Sequence, residues 1–309
     1  ICCYTIGSFI LWGMNRHQSH SSFYDVFVKV LIGLLSVVIV YSAIKTRGNT
    51  IHIGLIVVAI FYWFQFKPTK VINARKPLFI PYIVKNTKTL LLLFVISLLW
   101  YSFYAYWFYS GKHYAILHFD EVYYSFVSSK IGMFGIEGSA PFYKNCTAGA
   151  QPYHYVELWL TYIVSTLCKI NPLLVISVIL KSFFTGLLVM GMFALTNLYT
   201  KHIRMYIIAF FSILFGAIVL DYSPALQMAI NAHQVKMLLV AMFFVWFVIL
   251  VIKKEAYWFY PLLMLPFINI ATLPVIACVL CIYALFIWFR NHKQKAIKIL
   301  ISTLGVSLF

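Results

Sequence analysis

Asp120 and Glu121 stand side by side in the stretch His118 to Tyr124, and Glu157 follows in Pro152-Tyr153-His154-Tyr155-Val156-Glu157-Leu158-Trp159. With Glu137 they make four of the seven acidic residues of the chain, against 24 lysines and arginines. Elsewhere the residues are nearly all apolar or basic, and an unpaired charge removed from water is costly. Carboxylates gathered in such a chain have a task, so residues 118 to 159 read as the working site. Two adjacent carboxylates repel, which makes one of them a better proton acceptor and suits the pair to acid and base work. The structural alternative is an acidic helix start, with Asp120 capping a helix over residues 121 to 134 and Glu121 favourable at its N-terminus. His154 and Glu157 lie three apart on one helical face, where they suit acceptor binding or a mutual hydrogen bond. As metal ligands they lack a third partner at helical spacing, even with His118 and Asp120 approaching. No metal is therefore expected, and a divalent ion is the lesser reading.

The elements that must position these residues are membrane helices. Hydrophobic residues make up 63% of the chain, mean hydropathy is +0.91 and only 10% of residues are charged, which excludes a water-soluble globular protein. The formal charge of +17 does not point to nucleic acid, because the basic residues fall in short clusters between apolar runs. Six cysteines give no disulfide framework, and Cys278 and Cys281 sit among apolar residues that offer a metal no further support. Both ends of the sequence fall in apolar runs, so a fragment of a longer protein is expected.

Spans are expected at residues 1 to 12 (the tail of one), 26 to 44, 51 to 66 and 90 to 109. The segment 67 to 89 carries six lysines and arginines and no acid, and is placed in the cytoplasm. Residues 110 to 171 then lie outside. Within them, 121 to 134 reads as a helix with Val122, Phe126, Val127, Ile131 and Phe134 on one face and Ser125, Ser128 and Ser129 opposite. Residues 153 to 169 are apolar enough for a span, yet His154, Glu157, Thr161 and Ser165 share a face, the pattern of a helix lying in the interface with its polar side toward an outer cavity. With that helix flat, 172 to 198 runs inward, and Lys201, His202, Arg204, Lys253, Lys254, Arg290, Lys293, Lys295 and Lys298 all fall inside. Residues 257 to 289 are too long for one span and carry Pro261, Pro266 and Pro274, which predicts two spans or a broken pair meeting near Thr272. Two regions follow: residues 1 to 89, N-terminal helices with a basic loop, and residues 90 to 309, a transmembrane core.

In layout, residues 90 to about 252 resemble the GT-C membrane glycosyltransferases, the group of the protein O-mannosyltransferases and the lipid A aminoarabinose transferase. Phe119-Asp120-Glu121-Val122 looks like their acidic pair at the start of a long external loop. Pro152-Tyr153-His154-Tyr155 with Trp159-Leu160 looks like the opening of their second interfacial helix, and Lys169-Ile170-Asn171-Pro172 leads into what resembles their second core span. Several spans precede the pair here, where those enzymes have one. The resemblance implies an all-α, polytopic transmembrane fold with two interfacial helices in the first large external loop, in the cell membrane. It implies an inverting transfer from a polyprenyl-phosphate sugar donor to a lipid, glycan or protein acceptor on the outer face, with no cofactor. Asp120 would be the base and Glu121 would orient the acceptor or tune Asp120. Tyr123, His154, Glu157, Lys181 and His233 are the candidate substrate-binding residues. Lys181, about nine residues or roughly 13 Å into its span, would meet the donor phosphate if it does not snorkel along its own stem. His233 and Lys236 fall in the outer segment after Asp221.

A transporter or flippase of an amphiphile is the alternative from another class, expected to carry charges at mid-membrane in both halves. A surface-glycan polymerase or ligase is a third reading. The topology is testable in a cysteine-free background: single cysteines at positions 138 and 201 should label from opposite sides of the membrane, and labelling of both from one side would mean that residues 153 to 169 cross.

Overall fold

Out of water a backbone must satisfy its own hydrogen bonds, so long apolar runs become helices. The computed structural model describes residues 2–13, 21–45, 79–109, 119–134, 155–219, 234–255, 258–268 and 272–307, and within them the chain is helical with no strand. The helices are α1 (Cys2–Gly13), α2 (Ser22–Lys45), α3 (Phe79–Tyr109), α4 (Phe119–Phe134), α5 (Tyr155–Cys168), α6 (Pro172–Thr196), α7 (Ile203–Val219), α8 (Val235–Ile252), α9 (Tyr260–Ile268), α10 (Leu273–Phe289) and α11 (Lys293–Ser307). Four stretches are long and apolar enough to cross a membrane: α2, residues Asn86–Tyr106 of α3, α6 and α8. This is a membrane protein. At 14 residues α5 is about 21 Å long, shorter than the ~30 Å hydrocarbon layer. The segment 51 to 66 lies outside the described residues. Around Thr272, where a break is expected, the described helices are α9 up to Ile268 and α10 from Leu273, with Pro274 in the first turn of α10.

Side-chain contacts orient the bundle. At one end the start of α2 meets the start of α3 (Ser22 to Thr89), the end of α6 and start of α7 (Phe23 against Phe193 and Tyr206), and the end of α8, where Trp246 Nε1 donates to the Tyr24 hydroxyl at 3.3 Å. Lys253 stacks over the Tyr24 ring at that end, and α10 comes back toward it with Tyr283 against Trp258. The basic clusters at Lys201–Arg204 and Lys253–Lys254 therefore share one end of the bundle. The opposite end holds the C-terminus of α2, where Ser42 hydrogen-bonds Tyr155 of α5, and the first turns of α4 and α8. The reversals after α5, α8 and α10 close alike. Lys169, Lys254 and Asn291 take positive φ (56°, 54° and 64°), and the next residue's N–H reaches back to Ser165, Leu250 and Ile287.

Two faces differ from the sequence expectation. On α4 the buried residues are Glu121, Tyr124, Val127, Ser128 and Ile131, while Val122 and Phe126, expected on one apolar face with Val127 and Ile131, are 44% and 45% exposed. On α5, Tyr155 through Thr161 are all buried, so Glu157 and Thr161 face protein instead of an open outer cavity. On α4 the cause is the ion pair of Glu121 with Lys181, which turns that side of the helix inward; on α5 the first two turns are enclosed on every side.

α1 packs antiparallel to α2 through Gly7 and Gly33. A Cβ on Gly7 would run into the Lys29 carbonyl oxygen, and one on Gly33 into the Cys3 carbonyl oxygen. Small residues let membrane helices approach this closely. At Gly186 the obstacle is the Ser97 hydroxyl, which can rotate aside. Gly7→Ala should cost about 2 kcal/mol or more and Gly186→Ala about 1 kcal/mol or less, read as thermal unfolding in detergent; equal losses would count against the backbone contact.

Candidate functional site

Three carboxylates and two lysines converge where α4, α5, α6 and α8 meet. Adjacent residues on a helix point about 100° apart, so Asp120 and Glu121 find different partners. Glu121 turns inward and forms an ion pair with Lys181 of α6, sealed to the point that the two side chains are 4% and 1% exposed. Asp120 turns toward α8, where Lys236 Nζ lies 3.3 Å from its Oδ2 and 3.5 Å from the Tyr124 hydroxyl. That second pair is open, with Asp120 35% and Lys236 15% exposed.

Lys181 owes its aim to local backbone. Asn171 accepts from the Leu173 N–H and Pro172 follows, starting α6; residues Val175–Leu180 then form a π-helical turn directly before Lys181. Such a turn carries one extra residue and re-phases the helix on either side, and it recurs at functional sites. Here it accompanies a lysine whose ammonium also lies 5.9 Å from the Tyr104 ring centre, with the Tyr104 hydroxyl 3.4 Å from Thr185 Oγ1. Snorkelling is not what Lys181 does; it is held by Glu121. Removing one partner of a sealed pair leaves an uncompensated buried charge, at a cost of about 3–5 kcal/mol.

Glu157 is 2% exposed and faces the same cluster. Burial pushes its carboxyl from 4.5 up to about 8; the Lys236 charge and the Lys236 backbone N–H pull the other way, while Glu121 and Asp120 add to the rise. The N–H contact places Glu157 at the first turn of α8, where a helix favours an anion. Thr161 Oγ1 donates to the Glu157 carbonyl at 2.7 Å, tying the same turn of α5. Burial thus favours the protonated form of Glu157.

Of the residues singled out in the sequence, Asp120, Glu121, Glu157 and Lys181 come together, with Tyr123 half-buried beside Tyr124, ring centres 5.6 Å apart. His154 and His233 lie outside the described residues, as do His118 and Glu137. Asp120 is not the cap of its helix, because α4 begins at Phe119 and Asp120 lies within the first turn. Lys236 belongs to the first turn of α8 and not to a segment outside it, which makes it a central member of the site. The readable signal was a lysine at the very start of an apolar run, where Lys181 instead stands inside one. A further pair went unread: Asp25 and Lys29, at i and i+4 on α2, form a buried ion pair of 3.3 Å near the basic end. Among the described residues no three His, Cys, Asp or Glu side chains are grouped to hold a metal.

The fold and site define a helical membrane protein with a buried ionic cluster at one end of its bundle. Comparison with known proteins adds no relative: no family model, no curated protein and no solved structure matches the chain.

The Glu157 shift has a sign. The unfolded chain releases this proton near 4.5 and the folded chain near 8, so the folded state loses stability as pH rises between those values. Glu157→Gln should therefore melt close to the native protein at about pH 5 and above it at about pH 8.5, by up to a few kcal/mol. Thermal unfolding in detergent at the two pH values checks this, and a gap that does not change with pH would contradict the buried, protonated Glu157.

Proposed function

We propose that the protein is a membrane glycosyltransferase that moves a sugar from a polyprenyl-phosphate donor to an acceptor hydroxyl, with Asp120 as the base. One observation carries the reading: of the three clustered carboxylates only Asp120 is open, 35% exposed, while Glu121 and Glu157 are sealed behind it. An enzymatic base must reach its substrate, and Asp120 is the member of the cluster that does. In the transfer the acceptor oxygen attacks the anomeric carbon as the bond from that carbon to the phosphate oxygen breaks. The hydroxyl proton passes to Asp120, and polyprenyl phosphate leaves with the bonding electrons. Glu121 acts on Asp120 through the fold, by anchoring α4 to Lys181. The exposed Val122 and Phe126 on the outer side of α4 suit a helix with one flank in the acyl region, and the short α5 suits the same layer. The reading takes its sidedness from the GT-C resemblance, with the site on the outer face of a cell membrane and the basic end in the cytoplasm. The acceptor, whether lipid, glycan or protein, reaches the site from that outer face.

The transporter reading gains one observation of its own. Asp25 and Lys29 are buried within α2 near the basic end, so charge lies inside the bundle toward both ends. A transporter that uses them would lose uptake in Asp25→Asn, whereas a glycosyltransferase would keep its transfer rate.

Asp120→Asn keeps shape and hydrogen bonding, and as an open pair the Asp120–Lys236 contact contributes at most about 1 kcal/mol to stability. Transfer from a polyprenyl-phosphate sugar in proteoliposomes should nevertheless fall by on the order of 10² to 10⁴. Glu121→Gln should lose folded protein first, since it strips Lys181 of its partner, and what remains folded should transfer faster than Asp120→Asn. Full transfer by Asp120→Asn would remove Asp120 from the mechanism.

A further inference from the structure

The site holds two ammonium groups, and a phosphate donor meets one of them. Lys181 is closed off: its side chain is 1% exposed, Glu121 covers it, and drawing it toward a ligand would strand Glu121 in the interior. Lys236 is 15% exposed, and its partner is the open carboxylate. Lys236 also lies in the first turn of an 18-residue helix whose N-cap residue, Gln234, makes no capping hydrogen bond with its side chain. Backbone N–H groups at such an end favour an anion, and the Lys236 N–H there already meets Glu157, which leaves the ammonium as the group open to a ligand. From α5, Glu157 faces this turn as a protonated acid at neutral pH, so it does not repel an incoming charge there.

We propose that the donor phosphate and Asp120 compete for Lys236. The inference rests on the glycosyltransferase reading and names the residue that recognises the donor's phosphodiester. Before the donor arrives, Lys236 holds the Asp120 carboxylate and also faces Tyr124, whose ring centre is 5.3 Å from the ammonium. The phosphate oxygen then takes over the ammonium, and the Asp120 carboxylate exchanges its contact with Lys236 for the acceptor hydroxyl. A partly exposed ion pair at 3.3 Å is weak enough to exchange, whereas the sealed Glu121–Lys181 pair stays and keeps α4 in place. Lysine suits the exchange because its ammonium is a point charge that does not demand the paired geometry of a guanidinium. The donor thus binds first, and its binding prepares the base for the acceptor.

The experiment measures binding of a farnesyl methyl phosphodiester, a single negative charge over the working pH range, to the full chain in nanodiscs of neutral lipid at fixed salt. Asp120→Asn, which removes the competitor, should bind about tenfold more tightly than the native chain, and Lys236→Met about tenfold or more weakly. Lys236→Arg should restore most of the binding, and Lys236→Gln serves as a second neutral variant, each with its melting temperature recorded. The double variant Asp120→Asn/Lys236→Met decides the matter: the gain from removing Asp120 should vanish when Lys236 is absent. If Asp120→Asn tightens binding by the same factor with and without Lys236, the effect is general charge repulsion and the competition is refuted. If the diester binds no better than farnesyl alcohol, the donor reading falls and takes this inference with it. Tight diester binding that obeys the cycle, in a chain that transfers no sugar, would leave the exchange standing and overturn the glycosyltransferase reading alone.

Discussion

The ion pair between Glu121 and Lys181 is the constraint on which the rest of the site depends. Two charges removed from water are tolerated only when each has the other at close range, so neither residue can move without the other. That requirement rolls α4 until Glu121, Tyr124, Val127, Ser128 and Ile131 face the bundle, and it leaves Val122 and Phe126 outside. With Glu121 committed inward, its neighbour Asp120 points along another direction, to the rim of the cluster beside Lys236. The open carboxylate is thus a by-product of the sealed one. A single carboxylate at this place would have to choose between anchoring a helix and meeting a substrate; two adjacent ones divide the work.

Much of the architecture was legible because membrane helices announce themselves by length and apolarity. The spans at α2, α3, α6 and α8 follow from runs of apolar residues. The carboxylate cluster was also readable, since acids are so scarce that four within residues 118 to 159 stand out. What could not be read was which way each helix faces. A period of 3.6 gives a stripe, but on α4 apolar residues stand on both the buried and the exposed side, and hydropathy alone does not say which of them meets the bundle. The inward turn of α4 is decided by a partner sixty residues away in sequence, Lys181, and no local pattern encodes that choice.

Lys236 and the Asp25–Lys29 pair escaped for a related reason. A lysine at the mouth of an apolar run looks like any residue snorkelling to the interface, and only the neighbouring helix shows that Lys236 has a carboxylate to meet. Asp25 and Lys29 cancel each other's charge within one turn of α2, so the run still passes for an ordinary span. Among the described residues the buried lysines are each paired with a carboxylate, and the sequence displays only the members.

The π-helical turn at Val175–Leu180 carries a consequence for how this chain tolerates insertion and deletion. An α-helix that loses one residue must rotate everything beyond the cut by about 100°, which scrambles a packed face. A helix that already holds one surplus residue can shed it and become regular, keeping its backbone bonded throughout. For α6 the shortened chain would remain a sound helix, but Asn171 and Lys181 would no longer keep their present relation around the axis. One of two attachments would then have to give way, either the docking of the α5–α6 corner or the grip of Lys181 on Glu121. The surplus residue is therefore a length adjustment built into α6: it allows the corner after α5 and the buried ammonium to be seated at the same time.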